Sequence, residues 1–157
     1  MNDYRLTQIS MSLLIVLHLL PTVQHGMDHS ALEVSLPALK WGFVYTVVVA
    51  TPLVTLPFLW SRWMIAALWA VTIAFAAGTV FGVYHHYILV SPDNIFHLPS
   101  GPHDLQASFV NSAGWVALSE GFTAAVGLLW CGYWTGATLA ARRNQTTVLD
   151  STNKGFA

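Results

Sequence analysis

The sequence predicts an all-α fold: an integral membrane four-helix bundle with both termini cytoplasmic. Three observations carry this. Of 157 residues, 55% are hydrophobic and only 8% are charged, against about 25% charged in soluble domains. Four stretches approach or exceed the roughly 20 apolar residues that cross a bilayer. The basic residues segregate to one side of the resulting topology.

The first span covers about 6–23 and is the least apolar, since it holds Gln8, His18 and Pro21. The second, 41–60, has no charged residue, and Pro52 and Pro57 predict a kink in it. The third, 63–84, is also free of charge. Only Ser61-Arg62 separates the second from the third, so the two form a tight antiparallel hairpin. Trp60 and Trp63 flank that turn as interfacial aromatics do. The fourth span, about 113–140, carries one acid, Glu120.

With four spans, Arg5, Arg62, Arg142, Arg143 and Lys154 fall on one side and Lys40 on the other. The positive-inside rule then makes both termini cytoplasmic and turns loops 24–40 and 85–112 outward. The expected location is multi-pass, in a bacterial inner (cytoplasmic) membrane. An alternative, in which residues 1–25 are a cleaved signal peptide, is opposed by the single Arg5 against Asp3 and by the lack of a small-x-small cleavage site. Residues 1–143 thus form the membrane domain. Residues 144–157 read as a mobile cytoplasmic tail, where the sequon Asn144-Gln145-Thr146 has no meaning. Residues 28–40 predict a short amphipathic surface helix capped by Asp28.

Composition also excludes functions. A net charge of −1 gives no case for nucleic-acid binding, and the only cysteine, Cys131, rules out an intramolecular disulfide and CxxC motifs. No phosphate loop, HExxH motif or nucleophile–base pair is present. Met11, Met27 and Met64 form no methionine-rich copper motif.

The histidines are the compositional oddity: seven, against six Lys+Arg. All except His18 lie in or beside the two outer loops, a partition the topology did not assume. His25 and His29 stand one helical turn apart. The segment 81–104, "FGVYHHYILVSPDNIFHLPSGPHD", holds His85, His86, His97 and His103 with Asp93 and Asp104. Ser91-Pro92-Asp93-Asn94 reads as a turn. In the fourth span, Ala113, Ala117, Glu120, Ala124, Gly127 and Cys131 recur at steps of three and four. Such a small-residue stripe marks close helix contact, so Glu120 points into the bundle, roughly 12 Å below the outer end at 1.5 Å per residue. A carboxylate there calls for a proton, a partner or a cation. Gly78 and Gly82 share a GxxxG face that continues toward His85 and His86.

Imidazole and carboxylate suit Cu, Zn, Fe and Ni. The candidate metal ligands are His25, His29, His85, His86 and Glu120, with Asp93 and His97 as further ligands or as groups that orient them. The expected function is an outer-facing histidine/carboxylate site that binds or transports a transition metal, the partners being lipid bilayer and metal ion. One alternative is a haem-binding or oxidoreductase subunit, with haem b held by His18 and His85 or His86. A second is a non-catalytic accessory or assembly subunit of a larger membrane complex. The GxxxG spacing permits a homodimer or partner membrane subunits.

"GVYHHYILV" resembles the adjacent-histidine helix of the haem–copper oxidase and nitric oxide reductase superfamily, and Glu120 in the following span is similar to an acid the reductases carry. In that superfamily the histidine pair ligates a non-haem metal. The likeness is one of local chemistry: four spans cannot hold the many-helix core of that superfamily, and no H-x-H follows.

Overall fold

The computed structural model describes residues 3–154, with side-chain surroundings as far as Arg143. It contains four long helices: α1 (Asp3–Ala31), α2 (Ala38–Leu59), α3 (Met64–Ile88) and α4 (His103–Lys154). Among the described residues there is no strand. All four helices are long and apolar enough to cross a membrane. Large side chains such as Leu20, Val80 and Leu129 are exposed around the outside, an apolar surface that suits lipid contact.

Each helix differs from the expected span in an informative way. α1 runs on past Gly26, so residues 28–31 complete it and no separate surface helix forms over 28–40. Asp28, expected as a cap, is instead a buried residue of its last turns. The helix ends on Glu33, whose φ of 54° is left-handed. The Val34 N–H then bonds to the His29 carbonyl at 3.0 Å and the Glu33 N–H to that of Ser30 at 3.3 Å. This is a Schellman termination with glutamate where glycine is usual. α2 contains a π-helical stretch, Val44–Ala50, that ends just before Pro52, which has no N–H to donate. α3 ends in a second π-helical turn, Tyr84–Ile88. α4 starts at His103, ten residues before the expected span, so the loop before it shrinks to 89–102. Its backbone stays helical to Lys154, through most of the expected tail, while residues 155–157 lie outside the described residues.

The helices alternate in direction, and α4 packs most extensively, against α3 and α1. The small stripe is the reason. Ala113, Ala124, Gly127 and Cys131 are buried at this contact. A Cβ at Gly127 would overlap the Thr72 side chain, and one at Gly78 would overlap the Glu120 carboxyl. The main core joins Met11 and Ile15 of α1, Leu68 and Phe75 of α3 and Cys131 and Trp134 of α4. A second cluster, Leu32, Val34 and Phe109, lies beneath loop 89–102 with Ile95 and Leu98. It holds that loop over the end of the bundle where the histidines gather.

Candidate metal centre

Three elements bring His25, His29 and His86 together. His25 and His29 share one face of α1, and their rings meet edge to face at 4.6 Å. His86 enters from the π-helical turn of α3, its ring 4.7 Å from that of His25. One ring nitrogen from each of the three lies within 4.8 Å of the others. All three residues are buried. Phe109 of α4 packs against all three rings, at 4.7, 4.9 and 5.7 Å.

Loop 89–102 supplies the fourth side. Ser91–Asn94 forms the turn that its sequence suggests, closed by the Asn94 N–H on the Ser91 carbonyl at 3.0 Å. The Asn94 side chain donates to the Leu89 carbonyl at 2.9 Å, and the Ile95 N–H bonds to the His86 carbonyl at 2.9 Å. These bonds fold the loop back onto the end of α3. Asp93 is thereby buried, with its Oδ1 3.2 Å from His29 Nε2 and 3.3 Å from His86 Nδ1. Neither nitrogen donates a well-directed bond to Oδ1, which has no hydrogen-bond partner.

The outward partners of the rings fix their tautomers. His86 Nδ1 lies 2.8 Å from the Asp93 main-chain oxygen, which only accepts, so Nδ1 carries the proton. His29 Nδ1 likewise donates to the Val34 carbonyl at 3.2 Å, an oxygen positioned by the left-handed Glu33. His25 Nδ1 lies 3.0 Å from Ser112 Oγ. The Ser112 hydroxyl donates its one proton to Asp28 Oδ2, so its oxygen accepts from His25. Asp28 is itself fixed by Gln24 at 3.0 Å and Ser108 at 2.9 Å.

The result is an unusual juxtaposition. His25 Nε2 and His86 Nε2 face each other at 3.1 Å. With both Nδ1 atoms protonated, neutral rings present two lone pairs at that distance. A hydrogen bond between them requires a second proton on one ring, whereas a metal ion requires none. Nitrogens about 2.0–2.1 Å from one tetrahedral ion stand about 3.4 Å apart, close to the separation seen.

The other sequence candidates are placed as follows. His85 stacks on Phe81 at 4.2 Å, and its Nδ1 donates to the Phe81 carbonyl at 3.0 Å, away from the cluster. His97 is exposed in loop 89–102, and His103 is exposed at the start of α4. His18 is buried with a hydroxyl partner at each nitrogen, Ser119 and Thr22, both at 2.9 Å. Glu120 is buried, with Oε1 4.0 Å from His18 Nε2 and Oε2 without a partner. It lines the same cavity, of about 70 Å³, as His25, His29, His86 and Asp93. Sequence reasoning gave Asp28 and Asn94 only local roles, as a helix cap and a turn residue, and did not single out Ser112 or Phe109. Asp28 meets Ser108 and Ser112, one turn apart on α4, only across the α1–α4 contact, which spacing along one chain does not reveal.

Comparison with protein-family models, with curated proteins and with solved structures gives no match to this chain.

Proposed function

We propose that this chain is a multi-pass membrane protein, with both termini cytoplasmic, that binds or transports one transition-metal ion at an extracytoplasmic site of His25, His29 and His86 with Asp93 beside them. The observation that carries this reading is the 3.1 Å approach of His25 Nε2 to His86 Nε2 while both Nδ1 atoms are committed as donors. Histidines whose second nitrogen is held by a carbonyl or a carboxylate-linked hydroxyl are the usual form of a metal-ligating set. Three imidazoles favour Cu, Zn, Fe or Ni over Mg or Ca. Three protein ligands with a fourth position open is the pattern of sites that bind or exchange a further group. The orientation rests on Arg5, Arg62, Arg142 and Arg143, which alternating helices carry to the end opposite the histidines.

The test is elemental analysis and an absorption spectrum of protein purified in detergent without chelator. One Cu, Zn, Fe or Ni per chain is expected, lost in His86→Ala and retained in His85→Ala. A wild type that contains none of these ions, and takes up none when titrated with each, would falsify the reading. A Soret band would replace it with the haem alternative.

A further inference from the structure

The cavity beneath the histidines holds a second incomplete group. Its volume of about 70 Å³ is room for roughly five water-sized units at about 10–15 Å³ each. His25, His29, His86 and Asp93 line one end. Val44, Val48, Phe81 and Val116 make the walls apolar, and Glu120 lies further along. Glu120 stands eight residues along α4 from Ser112, the serine bonded to His25, a rise of about 12 Å that the inward-reaching side chains shorten.

Glu120 Oε2 is buried without any partner, a state that is unfavourable until a donor fills it. α3 is cut back opposite this carboxyl. Any side chain at Gly78 would overlap it, and Gly82 has Oε2 3.9 Å from where a Cβ would stand. Packing thus holds the carboxyl at the cavity wall while leaving one oxygen open. At the other end, three protein ligands leave a metal's fourth position open. The open metal position, beside the unpartnered Asp93 Oδ1, and Glu120 Oε2 therefore address one largely apolar slot.

We propose that this slot is a binding pocket for a small uncharged molecule. One lone-pair nitrogen or oxygen of that molecule takes the metal's fourth position, one N–H or O–H donates to Glu120 Oε2, and the body between them is apolar. The inference rests on the three-histidine metal reading. A charged ligand is disfavoured by the apolar walls. Access runs between α1 and α2: Thr22, Gly26, Trp41 and Val44 line both this cavity and a groove of about 650 Å³ on the outer surface of the bundle. Gly26 has nothing within 4 Å of where a Cβ would stand, so a side chain added there would enter open space.

Imidazole has the required features: a lone-pair nitrogen, an N–H on the far side and five ring atoms. 1-Methylimidazole keeps the lone pair and lacks the N–H. Cobalt(II)-loaded wild type in detergent is titrated with each, following the visible cobalt bands, with bound cobalt measured by elemental analysis. Imidazole should bind at least about tenfold more tightly than 1-methylimidazole, as one hydrogen bond to a carboxyl allows. In Glu120→Leu that preference should fall to within about twofold with cobalt content unchanged. Gly26→Phe, at an open position, should weaken both probes and keep cobalt. Wild type that holds cobalt yet shows no response to imidazole, or no preference for it, overturns the proposal and leaves the metal reading standing. So does a preference that survives in Glu120→Leu. If Glu120→Leu fails to hold cobalt, unchanged binding of both probes to Gly26→Phe overturns it. A wild type that takes up no cobalt removes the metal reading and the pocket together.

Discussion

A histidine offers a metal one nitrogen, and the group on its other nitrogen decides which one and in what orientation. In this protein the groups differ in kind. For His86 and His29 they are main-chain carbonyls, which mutation cannot remove directly. For His25 the group is a hydroxyl whose direction is set by Asp28. Asp28 accepts from Gln24, Ser108 and Ser112 at once, and an asparagine would turn an NH2 toward at least one of these donors. Asp28→Asn should therefore weaken metal binding by about 10–100-fold, the usual effect of losing an orienting partner. Ser112→Ala should do the same, and the double variant should be no worse than either single one. Equilibrium competition against a chromogenic chelator measures this. Additive losses would mean that Asp28 acts on the fold rather than through Ser112. The ligand types and the His25/His29 spacing were legible in the sequence. The role of Asp28 was not, because it depends on a contact between chain positions 84 residues apart. Nor was the choice between His85 and His86 legible. Adjacent side chains diverge by about 100° on a helix, and the π-helical turn resets which of them faces inward.

At the level of elements, close approach of α4 to α3 and to α1 sets the whole arrangement, because it brings Phe109 and Ser112 to the histidines and Glu120 to the cavity. Gly127 is the tightest glycine of that approach, ahead of Gly78, with Thr72 where its Cβ would be. Gly127→Val must displace Thr72 or separate the helices, and overpacking of this kind costs about 1–3 kcal/mol. Gly136→Ala, with nothing within 4 Å of its Cβ position, should change stability by no more than about 0.5 kcal/mol. Reversible unfolding in mixed micelles measures both, and equal effects would refute close contact at Gly127. The stripe from Ala113 to Cys131 announced this interface through residue size and spacing alone. Element ends were less legible. Gly26 and two histidines break the apolar pattern of α1, and His103, Asp104, Gln106, Ser108 and Asn111 break that of α4. Both segments are helical because the cluster of Leu32, Val34 and Phe109 buries them together, a tertiary effect that local composition does not report.

At the scale of the whole molecule, the site's use depends on which side of the membrane it faces. Up-and-down topology follows from four apolar runs and three short connections, so the grouping of ends was legible from sequence. The end with the histidine cluster carries Lys40, and the opposite end carries Arg62 in the turn between α2 and α3, where the guanidinium lies 5.5 Å over the Trp63 ring. Cationic side chains near short loops are retained on the cytoplasmic side, and the proposed orientation, with the histidines outward, rests on that. Cys131, the only native cysteine, is buried, so labelling sites can be introduced one at a time in a Cys131→Ala background. Phe96 is 72% exposed in loop 89–102, and Ser61 is exposed in the opposite turn. On intact cells a membrane-impermeant maleimide should label Phe96→Cys and leave Ser61→Cys unmodified until the membrane is opened. The reverse pattern would place the three histidines in the cytoplasm, where they would meet metal already inside the cell, and a role in capturing metal from outside would fall with the orientation.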